Sequence, residues 1–210
     1  MIQEVRMNNA MIEEFESLLM STKREGIERL VDFLRKSDFY TAPASSRYHS
    51  CHAGGLLEHS MNVYKCLKAK ADSPMWRDAF ANVGADSIII TALLHDLCKT
   101  NYYVVEMKNK KVYSETGKKL DSNGRYDWVS VPGYTIEDSF PYGHGEKSVM
   151  MVEAYILLKP VERFMIRWHM HFTEPKELYN TLSAAIEKYP AILAIGEADL
   201  EATYLLEERE

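Results

Sequence analysis

The sequence predicts a mainly α-helical protein of one domain, with a short β segment inserted between its helices. Three observations support this prediction. The chain has 210 residues, of which 46% are apolar and 27% are charged, and this is the composition of an ordinary globular domain. Apolar residues recur at helical spacing over most of the chain. Between residues 101 and 142 this spacing gives way to aromatic and β-branched residues, which favour strands.

The first half of the chain predicts four helices and one loop. Two amphipathic helices are predicted over 7–20 and 25–36, where apolar residues recur every three or four positions. The stretch 40–53 is rich in Ser, Pro and small residues, so we expect an irregular loop. Helices follow over 55–71 and 86–99. The second of these contains SIIITALL, and a helix that is apolar on all sides is a buried helix.

The segment 101–142 predicts a β-hairpin or small sheet. NYYVVEM and RYDWVSV have strand composition, and turn-forming Gly and Asn residues lie between them. Prolines then separate the remaining helices, which we predict over about 146–158, 161–169, 176–188 and 191–207. The predicted single domain of residues 1–210 therefore has four parts: N-terminal helices over 1–38, a loop and two helices over 39–100, the β insertion over 101–142, and C-terminal helices over 143–210.

Charge and cysteine content exclude several classes of protein. The net charge of −6 disfavours a dedicated nucleic-acid binder, because such proteins depend on an excess of Lys and Arg. No apolar run approaches the ~18 residues of a membrane-spanning helix, and the N-terminus lacks the pattern of a signal peptide. The three cysteines form no CxxC motif, which argues against a disulfide framework. We therefore expect a cytoplasmic protein without a membrane partner.

Three polar side chains interrupt the apolar stripes of three different helices. His59 shares a stripe with Leu56, His95 ends the run SIIITALL and is followed by Asp96, and Asp199 shares a stripe with Ile195. Taken singly, a histidine on an apolar face is more often a hydrogen-bonded core residue than a ligand. A buried carboxylate is costly unless it is paired with a cation or bound to a metal. Together, imidazole nitrogen and carboxylate oxygen form a ligand set suited to Mn, Fe, Zn or Ni.

The order of five motifs gives this pattern a family resemblance. SSRYHSCHAGGLLEHSMNVY, ALLHDLCK, GHGEKS, IRWHM and AIGEADLEATY follow one another over residues 45–204. In these motifs the chain resembles the HD-domain superfamily of metal-dependent phosphohydrolases. The resemblance implies an HD-like helical bundle and a divalent transition metal, with Mn, Fe, Ni, Co and Zn as candidates. It also implies four ligands for one ion: His59, His95, Asp96 and Asp199.

The resemblance further implies a second position for a metal or a phosphate. His144 and His169 fall in the interval where two-metal branches of the superfamily carry additional histidines, and Asp96 is then the expected bridging carboxylate. Residues two apart on a helix point roughly 200° apart, so we expect His169 to face the site and His171 to lie at the surface. The chain departs from the family at Cys98, where the family usually has Gly.

Three further residues, Lys99, Arg47 and His49, are candidates for contacts with substrate. We expect Lys99 to act in catalysis by offering a fixed positive charge to a phosphoryl group, although a cation at a helix C-terminus is favourable on its own. Asp96 is the second predicted catalytic residue, because it is expected to bind the metal that activates water. Arg47 is able to pair with a phosphate or to be an ordinary surface arginine. His49 is a candidate contact for substrate or the second metal, and His52 is expected to be a loop residue.

The predicted function is that of a metal-dependent phosphohydrolase acting on a nucleotide or another small phosphate ester through metal-activated water. Three alternatives remain at this stage: a 3′→5′ exonuclease of the HD type, an HD-type di-iron oxygenase, and a module that binds metal or nucleotide without turnover. The acidic balance argues against the exonuclease. The lysines of the insertion, including Lys108, Lys110 and Lys111, are more typical of a solvated hairpin than of a binding surface.

Overall fold

The structure is a computed structural model that describes the backbone of residues 2–208 and the side chains of residues 9–171 and 173–208. Its helices are α1 (Ile2–Ser21), α2 (Ile27–Lys36), α3 (Gly55–Ala71), α4 (Ala85–Leu94), α5 (His144–Glu153), α6 (Pro160–Trp168), α7 (Tyr179–Lys188) and α8 (Ala191–Glu201). Its strands are β1 (Tyr103–Tyr113), β2 (Lys119–Asp121) and β3 (Gly124–Ile136). The prediction of a mainly helical chain with one small sheet is confirmed. Within the described residues, no helix is both long enough and apolar enough to cross a membrane.

Two apolar cores lie on either side of the pair formed by α3 and α4. The first core joins these helices to α1 and α2, through residues such as Phe15 and Leu34. The second joins them to α6, α7 and α8, through residues such as Trp168 and Ile195. The apolar run of α4 contributes to both cores, with Leu93 in the first and Ala92 in the second. The prediction that this helix is buried is therefore confirmed.

Helix α4 ends five residues earlier than the sequence predicts. It stops at Leu94, and a short 3₁₀ turn, Leu97–Lys99, follows. Asp96 leaves the helical conformation with φ −103° and ψ 20°. The backbone N–H of Cys98 donates to Ser148 Oγ at 3.1 Å instead of to a carbonyl of its own helix. The prediction of one helix over 86–99 was therefore wrong, because a tertiary hydrogen bond replaces the last helical turn.

Other helix boundaries also differ from the prediction, and α5 ends at Glu153, five residues before the predicted end at 158. Helix α5 begins at His144, two residues before the predicted start. The predicted helix over 176–188 opens with the 3₁₀ turn Lys176–Leu178 before α7. The predicted helix over 191–207 is α8 followed by the π-helical turn Ala202–Leu206. This wider turn changes the direction in which the residues after it point.

The inserted sheet is antiparallel and stands apart from both cores. β1 pairs with β3 from Tyr103↔Ile136 to Tyr113↔Tyr126, and β2 pairs with the start of β3, which gives the strand order β1-β3-β2. Among the described residues, the two apolar cores contain none from 103–136. The sheet meets the helical body at its base, where Tyr103 Oη donates to the Ala44 carbonyl at 3.4 Å.

Two glycines allow backbone segments near the polar centre to approach closely. A Cβ atom on Gly55 would lie 2.0 Å from the Ser50 carbonyl oxygen, so only glycine lets the start of α3 lie against the preceding loop. A Cβ atom on Gly145 would lie 2.2 Å from the Arg167 carbonyl oxygen. Gly145 therefore brings α5 directly against α6, and this contact places the first residue of α5 beside the end of α6.

Candidate metal centre

Six side chains from five helices converge between the two cores. α3 contributes one of them from its second turn, and α8 contributes one near its end. Two of them directly follow the end of α4, one directly follows the end of α6, and α5 begins with another. The six residues are His59, His95, Asp96, His144, His169 and Asp199.

Asp96 lies at the middle of this group. Its Oδ2 lies 3.5 Å from His59 Nε2 and 3.5 Å from His95 Nε2. Its Oδ1 lies 2.7 Å from His144 Nε2 and 3.5 Å from His169 Nε2. Asp96 is only 2% exposed. Each oxygen of one buried carboxylate therefore faces a different pair of imidazoles.

Asp199 completes the first of these pairs. Its Oδ1 lies 3.2 Å from His59 Nε2, and His59 Nε2 lies 3.2 Å from His95 Nε2. His59, His95 and Asp199 thus offer ligand atoms that all lie within 4.8 Å of one another, and so do His95, Asp96 and His169. The structure brings together every residue that the sequence predicted for the two metal positions.

The ring orientation of two histidines is fixed by backbone carbonyls. His95 Nδ1 donates to the Ala92 carbonyl at 2.8 Å, and His169 Nδ1 donates to the Ile166 carbonyl at 2.7 Å. Because a carbonyl only accepts, each Nδ1 carries the hydrogen and each neutral ring has its lone pair on Nε2. His169 Nε2 is buried and has no hydrogen-bond partner among the described residues.

An unpartnered buried nitrogen is costly, by about 1–3 kcal/mol, unless another group satisfies it. A divalent cation bonded to the lone pair of His169 Nε2 would satisfy it, and metal-binding histidines usually donate their other ring N–H to a carbonyl or carboxylate. His95 and His169 both do so. The residues present therefore fit a transition metal with nitrogen and oxygen ligands.

Glu207 is a functional candidate that sequence reasoning missed. It follows the π-helical turn, and its side chain is fully buried. Glu207 Oε1 accepts from His59 Nδ1 at 2.8 Å, and Oε2 accepts from His49 Nδ1 at 2.6 Å and from Ser50 Oγ at 2.9 Å. The backbone N–H of Ser50 donates to the Glu208 carbonyl at 3.2 Å. The end of the chain therefore holds both the loop over 40–53 and the ring of His59.

Nothing in the sequence distinguishes Glu207 from its neighbours. It lies in the acidic run LLEERE, where Glu208 has the same side chain and is exposed. A regular helix over 191–207 does not predict which of these carboxylates faces inward. Glu207 contacts His49 and His59, which were both candidate residues. Each of these histidines needs a hydrogen-bond partner for its second ring nitrogen, and the sequence prediction named none.

The charges of the centre are strongly coupled. Burial opposes the charged form of His59, but hydrogen bonds to Asp199 and Glu207 outweigh burial and raise its pKa to about 9. Burial lowers the pKa of His95 to about 3. Burial also opposes the charge of Asp96, yet the Lys99 ammonium and the neighbouring histidines hold the pKa of this carboxyl well below its usual range. Burial opposes the charge of Asp199 as well, but the hydrogen bond to His59 and the nearby histidines lower the pKa of this carboxyl. Both carboxylates of the centre are thus available as anions.

Lys99 contacts the centre from the 3₁₀ turn. Its Nζ lies 2.6 Å from Asp96 Oδ2, and its side chain is 14% exposed. Burial opposes the charge of Lys99, but Asp96 more than compensates and raises its pKa. The sequence placed Lys99 on one helical face with His95. It instead reaches the centre through the turn that begins after Asp96, and it is not a solvated cation at a helix end.

Comparison with known proteins finds a partial similarity to a phosphodiesterase. No family model and no solved structure matches the chain. One curated relative is a phosphodiesterase. Over 64 residues the chain is 39% identical to the dihydroneopterin 2′,3′-cyclic phosphate phosphodiesterase of Methanocaldococcus jannaschii. The match covers 30% of the chain and only 25% of the relative's length, so the similarity concerns a part of each protein.

The remaining candidate residues lie around the centre. His49 contacts Glu207, and its ring centroid lies 4.9 Å from that of His59. Arg47 is exposed and lines a groove of about 720 Å³ between the loop over 40–53 and the sheet. No hydrogen bond or ion pair in the described part of the chain joins Arg47 to the six converging residues. Arg47 thus lies outside the centre itself.

Two other histidines do not join the centre. His52 is an exposed loop residue, as expected, and its Nε2 lies 3.3 Å from a Glu58 carboxylate oxygen. His171 is half-buried, and its Nε2 donates to the Ile192 carbonyl at 2.7 Å. The expectation that His171 lies at the surface was therefore wrong. Its hydrogen bond to α8 holds it inward without bringing it to Asp96.

The centre is accessible from solvent. A cavity of about 360 Å³ is lined by His169, His171 and Asp199 together with Gly196 and Leu200 of α8. The side chain of His144 is 34% exposed. Solvent therefore reaches the centre at His144 and Asp199, whereas the other four residues of the group are buried.

Proposed function

We propose that the chain is a metal-dependent phosphohydrolase of the HD-domain type, folded as one HD-like domain, that hydrolyses a small phosphate ester. The observation that carries this proposal is the arrangement around Asp96, in which each carboxylate oxygen faces a different pair of histidines. A carboxylate in this position is suited to bridge two cations. The partial similarity to a phosphodiesterase supports the same class of reaction.

The residues divide into two ligand groups that share Asp96. The first ion would be held by His59, His95, Asp96 and Asp199. The second would be held by Asp96, His144 and His169, with the unpartnered Nε2 of His169 as one donor. Nitrogen and oxygen donors of this kind suit Mn, Fe, Co, Ni or Zn. When bound, such ions polarise a phosphoryl oxygen and lower the pKa of a coordinated water.

We propose that Lys99 stabilises negative charge on the phosphoryl group. Its ammonium is held against Asp96 at 2.6 Å and has three N–H donors, of which the carboxylate uses only part. A buried, preorganised cation stabilises negative charge on phosphoryl oxygens more effectively than a solvated one does. His49 and Arg47 lie farther out, on the loop that Glu207 holds, and we propose that they contact the remainder of the substrate.

The proposed substrate class is a small phosphate ester, such as a nucleotide or a cyclic phosphate. The curated relative is named for a 2′,3′-cyclic phosphate diester. The net charge of −6 argues against a long nucleic acid as the usual partner. Hydrolysis would add water across one P–O bond, so that the phosphorus gains a hydroxyl and the leaving oxygen gains a proton.

The test is a substrate screen with a matched variant. Protein loaded separately with Mn, Fe, Co, Ni or Zn is assayed on nucleotides, 2′,3′-cyclic phosphates and simple phosphate esters. We expect one class to be hydrolysed, and we expect Lys99→Met to keep its metal while its turnover falls by ~10²–10³-fold, the usual cost of removing one preorganised donor.

Two results would contradict the proposal. If Lys99→Met turned over at the wild-type rate, Lys99 would have no catalytic role. Absence of hydrolysis with every metal, together with consumption of O₂ by the iron-loaded protein, would replace the phosphohydrolase with an oxygenase.

A further inference from the structure

The groove between the loop over 40–53 and the sheet carries positive charge in an acidic chain. Its volume is about 720 Å³, and three of its lining residues are Arg47, Lys108 and Lys110. No lining residue in the described part of the chain is acidic, although the chain as a whole has a net charge of −6. A concave surface lined by charges of one sign concentrates ligands of the opposite sign.

The fold directs Lys108 to this groove. Its Nζ donates to the Tyr134 carbonyl. Its side chain passes over Gly133, where an added Cβ atom would lie 3.0 Å from Lys108 Cδ, so the absence of a side chain at this position leaves room for the lysine. An ammonium has three N–H donors, and the Tyr134 carbonyl accepts from one of them. Lys108 is therefore held in place with donors that remain for a ligand.

Arg47 is presented on a turn that is fixed by its own hydrogen bonds. Ser45 Oγ donates to the His49 carbonyl at 2.8 Å and accepts from the backbone N–H of Tyr48 at 2.8 Å. The Arg47 guanidinium is exposed, and no side chain among the described residues pairs with it. Its planar fork is suited to two parallel hydrogen bonds with the oxygens of a phosphate.

The loop wall of the groove begins at the metal centre. His49 lies two residues after Arg47, and its Nδ1 donates to the Glu207 carboxylate that also accepts from His59 Nδ1. The ring centroids of His49 and His59 lie 4.9 Å apart. Arg47 is thus only two residues along the loop from a side chain that lies beside a predicted metal ligand.

The sheet wall begins on the other side of the same centre. β1 starts at Tyr103, four residues after Lys99, and Lys99 Nζ lies 2.6 Å from Asp96 Oδ2. Tyr134 lines the groove, and its ring centroid lies 6.3 Å from that of Tyr103. The groove therefore leads outwards from the centre between two walls that both start there.

We propose that this groove binds a second phosphate of the substrate, apart from the phosphoryl group that is hydrolysed, through Arg47, Lys108 and Lys110. The inference rests on the proposed function, because it narrows the substrate class of the same site to a nucleotide or cyclic phosphate that carries a further phosphate. The three cations select this substrate and take no part in the cleavage of the P–O bond.

The test compares two compounds that share one cyclic diester. Adenosine 2′,3′-cyclic phosphate and its 5′-phosphorylated form are given to the full chain loaded with Mn²⁺ or Co²⁺. The readout is the ratio of kcat/KM for the two compounds, or the ratio of their association constants from calorimetry where neither is hydrolysed. We expect the 5′-phosphate to be preferred by about tenfold, the usual effect of one hydrogen bond to a charged group.

Single variants assign the preference to the groove. We expect Arg47→Gln and Lys110→Gln each to lower the ratio by about threefold or more, and the double variant to bring it near one. Lys119→Gln removes the same charge from an exposed position of the sheet that does not line the groove. This control should keep the wild-type ratio.

The outcomes separate the two proposals. Hydrolysis of both compounds at equal kcat/KM, or an equal loss of preference in Lys119→Gln, overturns the groove site and leaves the proposed function in place. A preference that depends on Arg47 and Lys110, without hydrolysis of any ester, supports the groove and overturns the hydrolase. A trinucleotide with the same cyclic end that is preferred over the 5′-phosphorylated compound would assign the groove to a nucleic-acid strand and overturn the small substrate.

Discussion

At the scale of single residues, Glu207 acts on the centre through the imidazoles that it contacts. Its carboxylate accepts from His59 Nδ1 and from His49 Nδ1, which leaves His59 Nε2 directed at Asp199 and Asp96. A carboxylate behind a metal-binding imidazole fixes the orientation of the ring and raises its basicity. Glu207 is therefore a positioning residue in this account.

Replacing Glu207 by Gln tests this role. The amide keeps the size of the side chain but removes its charge, so the ring of His59 loses an anionic acceptor. We expect metal affinity to fall by ~10–100-fold, as for other carboxylates behind metal-binding histidines, with the fold retained. Affinity is measured by competition with a chromophoric chelator. Glu208→Gln, at the exposed neighbouring position, is the control, and equal affinity of the two variants would contradict the assignment.

The contrast between Asp199 and Glu207 shows which site residues a sequence reveals. Asp199 interrupts the apolar stripe of a regular helix, so its inward direction follows from the spacing. Glu207 lies beyond a π-helical turn, where helical spacing no longer tells which side a residue faces. Lys99 is an intermediate case: its proximity to Asp96 was predictable, but the 3₁₀ turn that brings it there was not.

At the scale of elements, one buried carboxylate joins three segments near the N-terminal ends of α4 and α6. Glu162 is fully buried. It pairs with Arg24 of the α1–α2 connection, accepts from Ser87 Oγ of α4 at 2.6 Å, and accepts from the backbone N–H of Lys159 at 2.7 Å. These are the helices whose opposite ends carry His95 and His169. The network therefore helps to set the separation of two of the converging histidines.

Removing this carboxylate should be costly for stability. Glu162→Ala leaves the Ser87 hydroxyl and the Lys159 N–H without their acceptor, which costs about 1–3 kcal/mol. Arg24 keeps Asp86 as a partner, so the larger cost of an unpaired buried charge does not apply. We expect a loss of about 1–3 kcal/mol in the free energy of unfolding, measured by urea denaturation.

Glu153→Ala removes a partner of the more exposed Arg163 and should cost less than ~1 kcal/mol. Similar losses in the two variants would contradict the structural role of Glu162.

The ends of the elements were harder to predict than their existence. SIIITALL was sufficient to identify α4 as a buried helix. Its end at Leu94 was not predictable, since the hydrogen bond from Cys98 to Ser148 joins residues 50 positions apart. The strands were predictable from their aromatic and β-branched residues, and the pairing of β2 with β3 depends on a turn geometry that composition does not specify.

At the scale of the whole molecule, the inserted sheet is an appendage of the helical body. It adds no residue to either apolar core among the described residues, and its two ends are adjacent, because Tyr103 pairs with Ile136. The backbone N–H of Glu137 donates to the Tyr102 carbonyl at 3.0 Å. The helical body is therefore expected to fold without the sheet.

Excision of the sheet tests this division of the chain. Residues 104–135 are replaced by Asn-Gly. This two-residue turn joins Tyr103 to Ile136, which are paired in the antiparallel sheet. We expect the shortened protein to keep a cooperative helical unfolding transition and the metal content of the full chain, measured by circular dichroism and elemental analysis. Loss of the metal with the helices intact would show that the sheet is needed to assemble the centre.

Metal content tests whether Asp96 joins two metal positions. Wild type and the folded variants Asp96→Ala and His144→Ala are equilibrated with Mn²⁺ or Co²⁺, and bound metal per chain is measured by elemental analysis. We expect about two ions in the wild type, about one in His144→Ala, and almost none in Asp96→Ala, because only Asp96 contributes to both positions. Full wild-type metal content in folded Asp96→Ala would contradict this expectation.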